Sequence, residues 1–237
     1  MVKVRHNQPV LEAETALEDT GIVMIDTPDP LCLAASLFNM AEYTVIALTE
    51  KPLFQQLLER FAFVLIPAVK AISVALPGRL WRIYGPEYAS PPYLPPSMFR
   101  DYVCRYVTPM IETIQQSGGY ARVHCHGNLR LILDDIAAMG PDGLDPIEPP
   151  PQGDVELSYV RERYGKEVVL FGNLEMSDIE NMPTAWFEEN IKRAIEQGTA
   201  GVGRGFVLMP SACPYGRRLS TRVINNYEKM IEIIETL

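Results

Sequence analysis

Apolar and polar positions along the chain switch repeatedly between a period of two and a period near 3.6. Residues 21–26 (GIVMID) form a short β-rich run, and 30–50 carry helical periodicity. Residues 51–76 read as a long helix or helix pair, with Pro67 as a kink or break. Residues 79–84 (RLWRIY) alternate as a strand, and 86–96 are a Pro- and Tyr-rich loop. Ser97 is placed to cap a helix reaching Gln116, closed by Gly118 and Gly119. Then follow strand 120–126, helix 128–139, strand 142–148, the loop opened by Pro149, Pro150 and Pro151, and helix 154–164. Strand 167–172, helix 184–197, strand 203–209, the loop 211–218 and helix 220–236 complete the chain. Strands alternating with helices predict a parallel sheet with right-handed crossovers. About six βα units are present, where a closed barrel of this kind has eight. No repeat, low-complexity tract or flexible linker interrupts the pattern, so one domain over 1–237 is expected.

Composition narrows the partners. The net charge of −9 argues against nucleic acid, which wants a basic footprint, and against anionic membrane surfaces. The most apolar stretch, 61–76, holds Pro67 and Lys70 and is short for a bilayer span, so it reads as a buried helix. The four cysteines at 32, 104, 125 and 213 have no framework spacing. The first 14 residues are broken by Lys3, Arg5, Glu12 and Glu14 and do not read as a secretory signal, so a reducing cytoplasm is the expected location.

The densest chemistry is His124-Cys125-His126-Gly127-Asn128, at the end of the strand predicted at 120–126. Alternation along a strand sends His124 and His126 to one face and Cys125 to the other, where it reads as core. Glu148 ends the next predicted strand and Cys213 follows a later one, giving His-x-His, 21 intervening residues, Glu, 64 intervening residues, Cys. Nitrogen, carboxylate and thiolate donors make a zinc ligand set. Cys32 and Cys104 sit on helical stretches and read as core. Glu87, with Tyr84 and Tyr88, lies in the loop after strand 79–84, where it either orients substrate or forms a solvated lid. Asn128 either bonds a substrate oxygen or caps the next helix, the cap being the simpler reading. Arg217 and Arg218 either meet an anionic group, such as a corrinoid phosphate, or are ordinary surface charge. The 201–205 run (GVGRG) precedes a strand, so it is no dinucleotide fingerprint.

Several segments, in order, resemble one family. The GPEYAS loop with LPPSMFRDY, the VHCHGN strand end, GPDGLDPIEP and GFVLMPSACP together resemble the uroporphyrinogen decarboxylase-like superfamily, methyltransferase branch, over roughly 20–237. The resemblance implies a TIM (β/α)8-type barrel, here shortened at its front. It also implies zinc held at His124, His126, Glu148 and Cys213, with His126 standing where the branch has Cys. Imidazole in place of thiolate makes the metal a stronger Lewis acid, suited to polarising an ether or hydroxyl oxygen or activating water. The implied activity moves a methyl group to or from a corrinoid, on a partner protein or as free cobalamin, with a small methyl donor or a thiol acceptor. Read from their own positions, Glu87, Tyr88 and Asn128 are the candidate catalytic residues, and Arg217 and Arg218 the candidate corrinoid-binding ones. The Arg-rich motif and catalytic Asp of the tetrapyrrole decarboxylases do not occur, which makes decarboxylation the alternative, beside a non-catalytic corrinoid- or metal-binding subunit. A shortened barrel leaves strand edges that a second copy, a partner subunit or an N-terminal extension is expected to cover.

Overall fold

The computed structural model describes residues 7–216 and 218–237. Six strands follow one another in chain order: β1 (Met24–Pro28), β2 (Leu80–Tyr84), β3 (Tyr120–His124), β4 (Gly143–Asp145), β5 (Val169–Leu174) and β6 (Phe206–Pro210). Between them run α-helices, the parallel α/β alternation expected from the sequence. The chain divides into two compact units. One holds the described residues up to Cys125 together with Leu129–Gly143; the other holds His126–Asn128 and Leu144–Leu237.

In the first unit β1, β2 and β3 pair in parallel, with Asp26 opposite Arg82 and Tyr84 opposite His124. The pleat sends Trp81 and Ile83 into the core, while Arg82 on the other face donates to Asp26 Oδ1 at 3.0 Å. Helix α1 (Gln8–Leu17) precedes β1. The 30–50 stretch splits into α2 (Pro30–Ala35), capped by Asp29, and α3 (Met40–Thr49), capped by Asn39. Each cap side chain accepts a backbone N–H of its first turn, which starts a new helix where periodicity alone read one. Helix α4 (Lys51–Ala75) continues unbroken through Pro67, burying Phe54, Leu58, Ala62 and Val69. The next helical stretch begins earlier than Ser97. It runs through α5 (Pro96–Phe99), a π turn over Arg100–Cys104 and α6 (Arg105–Gln116), with Pro95 at the cap position. Tyr106, Val107, Met110, Ile111 and Ile114 are the buried stripe of α6. Helix α7 (Leu133–Ala138) starts five residues later than the sequence indicated.

In the second unit β5 and β6 pair in parallel, Leu170 opposite Phe206 and Leu174 opposite Pro210. Its helices are α8 (Leu157–Tyr164), α9 (Met176–Asn181), α10 (Thr184–Thr199) and α11 (Thr221–Glu235). One core cluster joins β5, α9, α10 and α11: Leu174 from β5, Met176 and Ile179 from α9, Phe187, Ile191 and Ala194 from α10, and Val223 from α11. The short α9 was not legible in the hydrophobic pattern. Asn226 of α11 pins it, its Nδ2 donating to the carbonyls of Ile179 and Met182 at 2.9 and 3.0 Å. Among the described residues no helix is long and apolar enough to cross a membrane.

Candidate active site

Strand β4 ends at Asp145, and the chain after it is bent hard before it reaches Glu148. Ile147 is fully buried with φ of 54°, the left-handed region, which costs a β-branched residue roughly 1–3 kcal/mol and is held only by its surroundings. Two glycines make room for the bend. A Cβ on Gly172 of β5, where φ is 142°, would run into the Pro146 carbonyl. A Cβ on Gly153 would run into the Glu148 carbonyl.

The bend delivers the Glu148 carboxylate to two donors. His126 Nδ1 lies 2.8 Å from Oε1, and the Gly127 N–H donates to Oε2 at 2.9 Å. The Glu148 side chain is 12% exposed and that of His126 31%, so the pair is sheltered on one side and accessible on the other. An ionised carboxylate only accepts, so Nδ1 carries the proton and the ring's lone pair lies on Nε2. Strand β3 stops at His124, and the backbone after it turns to this pairing in place of further ladder bonds. The strand alternation invoked for His126 therefore does not reach it. Cys125 is fully buried, as a core thiol should be.

Past the ends of β5 and β6 stand two polar residues to which the sequence assigns no individual role. Glu175 is 9% exposed and Ser211 3%. The Ser211 hydroxyl donates to Glu175 Oε2 at 3.1 Å and accepts the Met176 N–H at 3.1 Å. Burial raises the Glu175 carboxyl above its ordinary range; the Ser211 bond opposes this, and the negative charge of Glu148 adds to it. The only sequence signal was position: residues just past strand carboxyl ends are where α/β enzymes keep their chemistry.

The other expected residues fall as follows. Asn128 is half-buried and caps nothing, because α7 begins at Leu133 with Ile132 at its cap position. Cys213 is exposed in the loop after β6. Arg218 is exposed, and Arg217 lies outside the described residues. His124 belongs to the first unit, while His126, Glu148 and Cys213 belong to the second. No group of three or more His, Cys, Asp or Glu side chains among the described residues is arranged to hold a metal ion. His126 and Glu148, two of the four expected donors, are in contact, and both Glu148 oxygens are engaged, one with His126 and one with Gly127.

Glu87 and Tyr88 sit in the first unit, on the turn Pro86–Ala89 after β2. Glu87 is half-buried and accepts the Gly85 N–H at 2.9 Å, so it braces its own turn and is no freely solvated lid. The Tyr88 carbonyl accepts the Tyr43 hydroxyl at 2.8 Å, and the two rings meet edge-on at 5.7 Å. Behind them Asp29, fully buried, caps α2 through Cys32 N–H at 2.6 Å. Burial pushes the Asp29 carboxyl well up, opposed by that bond and aided by Glu87. Burial and the same two carboxylates push the Cys32 thiol up to about 12, and burial with Asp135 pushes Cys104 to about 11, so neither thiol ionises at neutral pH.

Comparison with known proteins agrees with this architecture. A family model described as Uroporphyrinogen decarboxylase (URO-D) matches residues 21–219. Among solved structures the fold is similar to that of a methyltransferase from Methanosarcina mazei, with a TM-score of 0.72 at 19% identity. The likeness covers 93% of this chain and 61% of that one, so this chain spans about three fifths of that protein's length. It places the fold in the TIM-barrel type of α/β architecture expected from the sequence. No curated protein matches.

Proposed function

The chain belongs to the uroporphyrinogen decarboxylase family, and from that premise we propose that it is a methyltransferase moving a methyl group to or from a corrinoid carrier, with His126 and Glu148 at its centre. The observation that carries the reading is the 2.8 Å contact between His126 Nδ1 and Glu148 Oε1, backed by the Gly127 N–H on the other oxygen. A carboxylate behind an imidazole fixes the tautomer, orients the ring and stabilises its protonated form. Nε2 then accepts the proton of an acceptor thiol as the sulfur–methyl bond forms. The cobalt–carbon bond of the carrier breaks, and its electron pair stays on cobalt. The name of the Methanosarcina protein supports the same class of reaction.

Charge favours this over tetrapyrrole decarboxylation. The cavity that Glu175 lines also carries Glu156 and Asp178 against Arg193, in a chain of net charge −9. Such a setting repels a polycarboxylate and suits a neutral or cationic methyl compound.

Zinc is the finer part of the proposal. The donor types at His124, His126, Glu148 and Cys213 suit it, but their arrangement as it stands does not, because Glu148 is already committed to His126 and Gly127. Were zinc bound, Nε2 would be its ligand with Glu148 behind the ring, and the metal would acidify the thiol in place of Nε2 taking its proton. No step of the mechanism passes through the metal. Metal analysis of protein purified without chelator, giving about one zinc per chain, would support this part; none in the wild type would remove it and leave the imidazole–carboxylate pair.

The reaction itself is tested with methylcobalamin and a panel of thiols, and with cob(I)alamin and methylated oxygen or nitrogen compounds. The corrinoid absorbance should change with wild type and not with His126→Ala. Carbon dioxide release from uroporphyrinogen without any corrinoid change would overturn the reading in favour of decarboxylation.

A further inference from the structure

The parallel ladder of β5 and β6 brings Leu174 and Pro210 into register, so the residues after them, Glu175 and Ser211, leave their strands side by side. Ser211 is held rigidly: its N–H donates to the Leu174 carbonyl at 2.7 Å, and its Oγ accepts the Met176 N–H. The hydroxyl hydrogen therefore points at Glu175 Oε2, which makes Oε2 an acceptor. A proton carried by this carboxyl consequently sits on Oε1.

The same carboxyl lines a cavity of about 40 Å³ together with Asn173, Asp178, Asn190, Arg193 and Gln197. A buried water needs roughly 10–15 Å³ of such space and two to four polar partners, so the cavity has room for about three. Arg193 is exposed and Gln197 half-buried, which opens the outer end of the cavity to the surface of α10. The charged groups around Glu175 come from every neighbouring element: Glu148 after β4, Glu156 before α8, Asp178 on α9 and Arg193 on α10. Arg193 is directed elsewhere. Its Nη2 donates to Asn190 Oδ1 at 2.8 Å, and Asn190 Nδ2 donates to Asp178 Oδ2 at 3.1 Å. The cation thus compensates Asp178, while the Glu175 carboxyl is met by neutral donors, the Ser211 hydroxyl and the Ser177 N–H.

We propose that Glu175 is the proton donor of this site, giving its Oε1 proton to the heteroatom that leaves when a methyl group departs, and that it is reloaded from solvent through the cavity lined by Asp178 and Asn190. The proposal rests on the methyl-transfer reading and names its substrate class, a methyl compound whose leaving oxygen or nitrogen must be protonated. The carbon–heteroatom bond breaks, the methyl goes to the corrinoid nucleophile, and the electron pair left on the heteroatom takes the Glu175 proton. Two carboxyls at one end of the unit then have separate roles set by their surroundings: Glu148, holding two N–H donors, is the ionised one, and buried Glu175 is the acid.

Carboxyl NMR of the full chain, labelled at Glu side chains, tests this without any substrate. Glu175 should stay protonated to higher pH than the exposed glutamates; Glu148→Gln should lower its midpoint, and Ser211→Ala should raise it. A Glu175 resonance that titrates with the exposed glutamates and ignores Glu148→Gln would overturn the proposal, whatever the activity of the enzyme. With a methyl donor that turns over, Glu175→Gln should lower kcat by about 100-fold or more at a KM changed less than threefold, the range of general acid catalysis. Glu175→Asp should restore part of the rate and shift the alkaline limb of the pH profile. An unchanged kcat in a folded Glu175→Gln would equally overturn the proposal. A wild type inert to every methyl compound but showing the shifted Glu175 resonance would count against the methyl-transfer reading alone.

Discussion

Glu148→Gln is the sharpest test of the centre, because it changes one atom in a residue that two donors share. The carboxylate offers an acceptor oxygen to His126 Nδ1–H at 2.8 Å and another to Gly127 N–H at 2.9 Å. A glutamine amide has one acceptor oxygen and one NH2 group. Whichever way it is turned, one of the two donors then faces N–H hydrogens and loses its bond. Leaving a sheltered donor unsatisfied costs about 1–3 kcal/mol. His126 is 31% exposed and recovers part of this from water, so about 1–2 kcal/mol is expected. For urea slopes near 3 kcal/mol/M this moves the unfolding midpoint down by about 0.5 M. The ring should also lose its fixed tautomer, and long-range 15N–1H spectra of His126 should show Nδ1–H giving way to a mixture. Glu148→Asp withdraws the carboxylate by one bond and should cost at least as much. A Glu148→Gln protein with an unmoved midpoint and an Nδ1–H tautomer intact would refute the pairing, and with it the acid–base role assigned to Nε2.

Three further outcomes are expected. Glu175 has its folded-state pKa raised, so the stability it confers is fully present below the ordinary carboxylate value and is lost as pH rises through the folded value. Glu175→Gln, which can still accept the Ser211 hydroxyl, should flatten that decline, and thermal melts from pH 4 to 8 should show the variant gaining on the wild type as pH rises; parallel curves would contradict the burial argument. Asn226→Ala strips two carbonyl groups of their donor in a fully buried place and should destabilise the second unit by about 2–4 kcal/mol, read as a lowered denaturation midpoint. Gly198→Ala drives a methyl group into the Phe206 ring and should cost about 1–3 kcal/mol by the same measurement, although alanine is the better helix former and α10 gains from it elsewhere.

Much of the architecture was readable because it follows from local periodicity. Each of the six strands overlaps a run of apolar or alternating residues, and the helical stripes of α6, α10 and α11 repeat at three- and four-residue steps. What periodicity missed has identifiable causes. Asp29 and Asn39 start separate helices through side-chain caps, which a hydrophobic pattern does not record. Helix α9, six residues long, is held by contacts to Asn226 some 45 positions away. The helix expected from 128 waits until Leu133, which removes the capping role from Asn128.

The site divides along the same line. His126 and Glu148 were legible as reactive residue types close to strand ends, and the family signature around them was legible as an ordered set of short motifs. Their meeting was not: it depends on a left-handed Ile147 and on the missing Cβ atoms of Gly172 and Gly153, which leave room for the carbonyls of Pro146 and Glu148. Cys213 was likewise legible as a reactive residue type after a strand end, and it lies in an exposed loop. Glu175 and Ser211 looked like ordinary polar residues in the linear chain. Only the register of β5 against β6 sets them side by side and buries them, because burial and the charge of Glu148 are properties of the folded surroundings and leave no trace in the residues' own identity. The sequence by itself determined where the six strands and the long helices form, since hydrophobic period and chain stiffness act over a few residues. The tertiary structure alone decided which side chains share a proton, since that requires groups far apart in the chain to come within about 3 Å with water held away.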